Sequence, residues 1–501
     1  MSGYIRPNIF TIEPGQPFLA TLVEALCNGV LVPNFKFDGE PLSLARATIY
    51  VPTQRAAREL RSVFLDHLGN TSVLLPRIKT LGEFDEDAAL FESDAQTFVK
   101  ALPPIDPLER QLMLGRMIAG WTKHLADHLR HYFDGEEFTT PVSTADAFWM
   151  ARDLAELLDQ LQTEDLSFDD IEAAAEAETS DWWQVTLSFL KIIKSEWPHV
   201  LSERRRVDPA MHRNMMLRGE AARLAASQPT SPIIVAGSTG TIPATADLIA
   251  TIAKLPVGAV VLPGYDLTMG EQTRNILAEP DDLASAIGHP QYGMHQLVLK
   301  MGASGLIDVL GKPLNEALAS RKKWVAAALE PASQTQNWNA VRNGLRGDAF
   351  ENVALLVAAS EREEAAGIAA AMREVIADPK ATTALVTPDR MLARRVVTEL
   401  ARYGIQANDS GGSPFDLSAH GMLLSFTLKN AFDTQKDAAS LLALLKNKLA
   451  QIGVDRKTHE ESLVWLEMLI LRGGVDRLDI ANFSAFAARQ LDAWADKNLY
   501  A

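Results

Sequence analysis

Cysteine is almost missing: Cys27 is the one thiol in 501 residues. A single thiol excludes a disulfide framework and any four-cysteine zinc or iron–sulfur site within this chain. Cys27 therefore reads as a small buried apolar residue. Also lacking is any uninterrupted apolar run of the roughly 18 residues that a membrane helix needs, and the first residues do not follow the basic-then-apolar pattern of an export signal. A cytoplasmic chain with no membrane segment is expected. Positive charge is in deficit, with 48 Lys and Arg against 64 Asp and Glu and a net charge of -16. That balance argues against a protein that grips duplex DNA by bulk charge, because such binding rests on neutralising phosphates. A local basic groove stays compatible with it. No internal repeat and no low-complexity tract is present.

What is there is ample apolar content, 47% of the chain, enough for sizeable cores in two to four domains. Close to the N-terminus, residues 9–22 read as strand, tight Pro/Gly turn and helix, the setting in which a Walker A loop cradles a nucleotide. The turn holds Pro14, Gly15 and Gln16 and carries no Gly-Lys-Ser/Thr. Pro14 and Pro17 remove two backbone N–H donors, and Glu13 adds a repelling charge, so the nucleotide site reads as degenerate. A second strand–turn–helix unit spans 47–60, with Thr53 as helix N-cap. Residues 72–76 read as another strand, and Asp85, Glu86 and Asp87 as an acid-rich helix start. From 106 to about 219 apolar residues recur at three and four spacing, as in Leu108, Leu112, Leu114 and Met117. Strand patterning resumes at 232–237 and 258–263 around a helix over 244–255, a βαβ unit. Residues 265–350 read as a loop-rich connector. A second α/β segment follows, with strands over 352–358 and 383–386 and helices over 361–377 and 390–403, and the remainder reads as mainly helical.

The candidate site residues sit where these strands end. Thr53, Gln54 and Arg55 follow the second strand, at the end where ligands bind in open α/β sheets, and could reach a phosphate or base edge; the alternative is a plain helix cap. The strand over 233–235 runs into Ala236, Gly237, Ser238 and Thr239. A working motor places adjacent carboxylates at such a strand end to hold magnesium and polarise water; Ala236 and Gly237 stand there instead. His124, His128 and His131 share a helical face and read as a solvated or partner-facing stripe rather than a metal site. Arg204, Arg205 and Arg206 form the densest basic run, either a solvated turn or a phosphate contact. Trp149, Trp182, Trp183 and Trp197 read as core, with base stacking as the alternative. Residues 361–364 resemble the start of a second motor domain, and that resemblance makes Arg362 and Arg390 the nearest candidates for a γ-phosphate contact, without a purpose if the phosphate loop is empty.

Several strings together resemble the alphaproteobacterial AddB family, the subunits that partner a motor protein in AddAB helicase-nucleases. They are Ile49-Tyr50-Val51-Pro52-Thr53-Gln54-Arg55-Ala56-Ala57, Leu75-Pro76-Arg77-Ile78, Val235-Ala236-Gly237-Ser238-Thr239-Gly240-Thr241-Ile242-Pro243-Ala244-Thr245, Val261-Leu262-Pro263-Gly264, His289-Pro290-Gln291-Tyr292-Gly293 and Glu361-Arg362-Glu363-Glu364-Ala365. The resemblance implies two RecA-like α/β domains of the superfamily 1 helicase type: a first domain over 1–105 and 226–345 interrupted by a helical insertion over 106–225, a second over 346–435, and the start of a further helical region over 436–501. It also implies double-strand break repair, DNA and an AddA-type subunit as partners, and a C-terminal nuclease half with magnesium and an iron–sulfur cluster. No nuclease motif and no cluster cysteines follow residue 440, so this chain is expected to be non-catalytic, without cofactor or metal, and to correspond to the N-terminal part of a longer protein. Two alternatives remain open: a nuclease subunit whose catalytic domain lies beyond this chain, and an ATP-dependent helicase with an unorthodox P-loop.

Overall fold

The computed structural model describes residues 6–69, 71–81, 102–129, 143–175, 181–280, 283–303, 307–412, 415–432, 438–451 and 453–470, with four isolated positions beyond. The chain divides near Val353 into two compact units.

Unit 1 is built on six parallel strands. In chain order they are β1 (Ile9–Ile12), β2 (Thr48–Val51), β3 (Arg77–Thr80), β4 (Ile233–Ala236), β5 (Gly258–Pro263) and β6 (Ile307–Leu310), and across the sheet they run β3-β2-β4-β5-β1-β6. Helices follow the strands: α1 (Phe18–Cys27) after β1, α2 (Gln54–Leu68) after β2, then α3 (Pro107–Leu129), α4 (Thr144–Thr163), α5 (Phe168–Ala175), α6 (Asp181–Arg204) and α7 (Pro209–Ser227) between β3 and β4. The series continues with α8 (Pro243–Ala253), α9 (Glu271–Ala278), α10 (Leu283–Ile287), α11 (Tyr292–Met301), α12 (Glu316–Ala328) and α13 (Trp338–Gly344). The central strands β1, β2 and β4 are buried at every position, and β5 at all but Pro263, because a parallel sheet is covered on both faces; Thr11 and Thr48 are their only polar residues. Ile9, Tyr50, Val235, Val260 and Leu262 point into one core with Leu217 of α7, Leu248 and Ile252 of α8 and Leu297 of α11. The alternate residues Phe10, Ile49, Val51, Ile234 and Val261 point into the other with Leu22 and Leu26 of α1 and Leu60 and Phe64 of α2. Each fully buried side chain of this size contributes about 1.5–3 kcal/mol.

The outermost strands differ from expectation. The strand expected over 72–76 lies instead at Arg77–Thr80, and its sequence Arg-Ile-Lys-Thr is that of an edge strand blunted by charge. The connector expected over 265–350 contains β6, which pairs with β1 from Ile9↔Ile307 to Ile12↔Leu310. Its Asp308 breaks the apolar signature, and only the pairing reveals it.

The helical module between β3 and β4 matches the 3.6-residue pattern. Leu114 and Ile118 of α3, Ala151 and Leu158 of α4, and Ile193 and Trp197 of α6 form its core. A capping box starts α4: Ser143 accepts from the Asp146 amide and the Asp146 carboxylate accepts from the Ser143 amide. Beneath the module lies a buried polar knot. Asp208, 2% exposed, takes hydrogen bonds from Trp197 Nε1 at 3.0 Å and Gln162 Nε2 at 2.7 Å and pairs with Arg110 Nε at 2.8 Å. Arg110, 4% exposed, reaches Asp159 at 2.9 Å as well. A parallel bridge ties Pro104 to Val207, so the chain enters and leaves the module side by side. The module is fastened to the sheet by Tyr50 of β2, whose hydroxyl donates to Glu220 of α7 at 2.6 Å. Burial pushes the Glu220 carboxyl up, but hydrogen bonds from Arg223 and Tyr50 outweigh it and hold the group below the usual glutamate range.

Unit 2 contains α14 (Glu361–Val375), α15 (Arg390–Arg402), α16 (Ala419–Phe432), α17 (Ala438–Leu445) and α18 (Arg456–Ile470). Ala365, Ala369, Val396 and Leu400 form a small core between α14 and α15. The strands expected over 352–358 and 383–386 are not formed: Asn352 is a turn residue at φ +58°, and neither segment joins a ladder among the described residues. Burial still alternates along 381–388, with Leu385 against the helices and Val386 94% exposed. Strand propensity is thus present without neighbours to satisfy it, because a strand is stable only as part of a ladder.

Candidate functional site

The C-terminal edge of the sheet is where strand order decides what can meet. β2 and β4 are neighbours, with Tyr50 opposite Val235, so the turns after them converge. Thr53, Gln54 and Arg55 follow β2 and Ser238 and Thr239 follow β4, so the two sets start from adjacent strand ends. The contact is close: a Cβ on Gly237 would stand 3.8 Å from Pro52 and 3.4 Å from the Phe18 ring.

Two of the three hydroxyls at this edge, those of Thr53 and Ser238, accept from the backbone. Thr53 has extended geometry, φ -139° and ψ 157°, and its Oγ1 accepts the Ala56 amide at 3.1 Å, which makes it the N-cap of α2. Ser238 Oγ accepts from the Gly240 amide at 3.3 Å. A hydroxyl that accepts locally still has its proton to give, so each can donate to an external oxygen acceptor. Thr53, Gln54, Arg55 and Thr239 are exposed and Ser238 is half-buried. The first turn of α2 carries no acid, although acids are favoured there. Arg55 and Arg58 occupy that end of the helix with exposed side chains. Arg58 belongs to the same basic edge and was missed in the sequence, where one arginine among helix formers gives no signal of its own.

The turn after β1 has different chemistry. The Gln16 amide donates to the Glu13 carbonyl at 3.2 Å, with Pro14 and Gly15 in the two central places and Gly15 at φ +90°. This is a closed type II β-turn, and its backbone is spent on itself rather than wrapped around an anion. α12 and the chain before it sit over the turn. Gln16 Nε2 donates to the Lys312 carbonyl at 3.1 Å, and the space above Gly15 meets Leu314 and Leu318 at 3.9 and 3.8 Å. Lys322 of α12 pairs with Glu13 at 2.9 Å and Asp266 at 3.5 Å, all three side chains at most 23% exposed. Asp266 in turn accepts from the Thr268 amide and hydroxyl at 2.9 and 2.6 Å. A lysine does reach this strand end, but it comes from far along the chain and is neutralised by two carboxylates. Neither Lys322 nor Asp266 could be found by motif, since their meeting is a tertiary fact. The turn after β1 and the turn after β4 are separated by β5, roughly 10 Å at ordinary strand spacing.

Ala236, 1% exposed, and Gly237, at φ +78°, fill the strand end after β4. A β-substituted residue at 237 would be strained by its backbone and crowded by Phe18. Behind this edge, Tyr265 Oη and His295 Nδ1 share a hydrogen bond at 2.8 Å, and burial holds both His295 and His289 below the usual histidine value.

The other candidates fall elsewhere. Arg204 pairs with Glu109, and Arg205 and Arg206 form an exposed turn. Trp197 is core, donating to Asp208, while Trp149 is 59% exposed. Asp85, Glu86, Asp87 and His131 lie outside the described residues, as do the side chains of His124, His128, Trp182 and Trp183. In unit 2, Arg390 is held by both carboxylate oxygens of Asp409 at 3.0 Å and by the Gly412 carbonyl, which leaves Arg362 as the less committed of that pair. Cys27 is buried and its thiol is pushed up to about 11 by burial. As the sequence has no second cysteine, the residues present do not fit an iron–sulfur cluster. Among the described residues no group of three or more His, Cys, Asp or Glu is placed to hold a metal, and no helix is long and apolar enough to cross a membrane. No protein-family model matches this chain, and a search of curated proteins finds no match.

Proposed function

We propose that this chain guides a DNA strand without turning over a nucleotide, as the inactive helicase-like region of an AddB-type subunit that works beside an AddA-type motor in double-strand break repair. The all-parallel sheet covered by helices supports the RecA-like part of the reading. One observation supports the functional part: Thr53 and Arg55 follow β2 and Ser238 follows the adjacent β4, each hydroxyl accepting locally and keeping its proton to give, while the turn after β1 is closed and held by Lys322. Donors on two strand ends suit successive phosphates of a strand laid across the edge. Lost backbone donors at Pro14 and Pro17 and lost acids at Ala236 and Gly237 disfavour a motor.

Two measurements test it. A fluorescent ATP analogue with magnesium should show no saturable binding. A labelled single-stranded oligonucleotide should bind the wild type, and Arg55→Ala should weaken it with a fall of about 0.7 in the salt slope, the loss of one phosphate contact. Micromolar binding of the analogue would instead favour an ATP-dependent helicase, and unchanged oligonucleotide binding in Arg55→Ala would remove the site.

A further inference from the structure

In unit 2 the two helices of the small core leave an open cleft of about 390 Å³, lined by Arg362 and Ala365 of α14 and by Met391, Arg394, Arg395, Thr398 and Glu399 of α15. The spacing explains it. Residues 391, 394, 395, 398 and 399 occupy one face of α15 at three and four separation, and residues 362 and 365 face them from the first turns of α14. Three arginines therefore line one open cleft together with buried Ala365 and the exposed Met391.

Two of the three cleft arginines, Arg362 and Arg394, keep a charge that no carboxylate among the described residues cancels by pairing. Glu399 is engaged by Arg402 at 2.6 Å, and Glu361 by Arg395. Asp409, which acts on Arg394 at a distance, is chelated by Arg390. Glu399, Glu361 and Asp409 are thus each held by an arginine, Glu361 by one of the cleft's own, and no carboxylate among the described residues lies within ion-pair distance of Arg362 or Arg394. Both are exposed, while Arg395 is half-buried and fixed by Glu361. Three planar forks suit an acceptor with several oxygens in different planes, which a phosphate has and a carboxylate lacks. The cleft exceeds a bare phosphate, and Ala365 and Met391 add apolar surface that suits an attached sugar or base.

We infer that the cleft between α14 and α15 binds the phosphate of a phosphate ester through Arg362 and Arg394, with Arg395 as a third, prepositioned donor. The inference does not require the strand-guiding reading of unit 1. The phosphate could belong to a nucleic-acid strand or to a free phosphate compound, and the test separates the two.

The full chain would be compared with Arg362→Ala/Arg394→Ala, with Arg362→Gln/Arg394→Gln, and with Arg456→Ala as a charge control on α18. One arm measures anisotropy of a labelled oligothymidylate over a salt series. The other measures thermal protection by inorganic phosphate. The expected result is at least about a tenfold loss of affinity in the double variants in one arm, with Arg456→Ala like wild type. Loss in the oligonucleotide arm, with a salt slope lower by about 0.7, identifies a strand phosphate; loss of phosphate protection alone identifies a free phosphate compound. If the alanine pair melts early, the glutamine pair, which keeps the aliphatic stems, carries the same comparison. Double variants indistinguishable from wild type in both arms overturn the inference. Arg55→Ala run alongside separates this outcome from failure of the unit 1 site.

Discussion

Asp208→Ala should be among the most damaging single changes in unit 1. The side chain is 2% exposed and removes three obligations at once: it accepts from Trp197 and from Gln162, and it neutralises Arg110, itself 4% exposed. Breaking one partner of a buried ion pair costs about 3–5 kcal/mol because the other charge stays buried. Arg110 keeps Asp159, whose side chain is 42% exposed, so the expected loss is about 3 kcal/mol, near the lower end of that range. That is a large part of the 5–15 kcal/mol typical of a folded domain. The loss should appear first as faster hydrogen exchange across α3, α4 and α6, and then as a lower urea midpoint by far-UV circular dichroism. Arg110→Met/Asp208→Leu, which removes both charges and fills the space, should cost less than Asp208→Ala alone. A double variant as damaged as the sum of its singles, or an Asp208→Ala loss below about 1 kcal/mol, would refute the reasoning.

Three further predictions concern the sheet edge. Lys322→Met leaves Glu13 and Asp266 without their cation and should cost about 1–3 kcal/mol, yet gain no magnesium-dependent binding of an ATP analogue; saturable binding in the variant would mean that the lysine alone had been closing a competent pocket. Gly240→Ala should destabilise by more than about 1 kcal/mol, since Gly240 has φ +63° and a new Cβ would stand 2.7 Å from Leu297; Gly219→Ala in α7, with nothing within 4 Å, should instead stabilise by about 0.5–1 kcal/mol, and thermal melts of the two should move in opposite directions. His289 and His295 are both held below the usual value by burial, so the unfolded chain takes up protons first. The stability that they contribute is complete above about pH 6.5 and is lost as pH falls toward their folded values. Melting temperature should drop on acidification through that range, and His295→Gln should flatten the drop; an unchanged profile would discard His295 as a contributor.

The sequence was readable where a residue's role is local. The strands β1, β2, β4 and β5 are mostly apolar because both faces are buried, and Thr53 announces its helix by chemistry that needs only the next three residues. The edge strands were not readable, since β3 is half charged and β6 contains Asp308, and only a neighbour makes either a strand. The reverse error arose at 352–358 and 383–386, whose β-branched composition promised strands that no described neighbour pairs. The candidate site divides the same way. Residues 53–55 and 238–239 were legible as strand-end residues, and the order β2-β4 then brought them together. The Lys322 contact with Glu13 was invisible, because 309 positions separate the two.

The Pro104 to Val207 bridge has a consequence for how this chain comes to exist as it is made. Ile49 must pair with Ile234, so β2 leaves the ribosome long before its central neighbour has been synthesised and cannot complete its side of the sheet alone. The α-helical residues in between can assemble from local contacts, which form quickly. Once they do, the bridge ties their two ends together, and the loop still to be closed is shorter by the length of the module, which lowers the entropy of closure. The module thereby acts as a built-in jig for its own sheet, delivering β4 to a waiting β2.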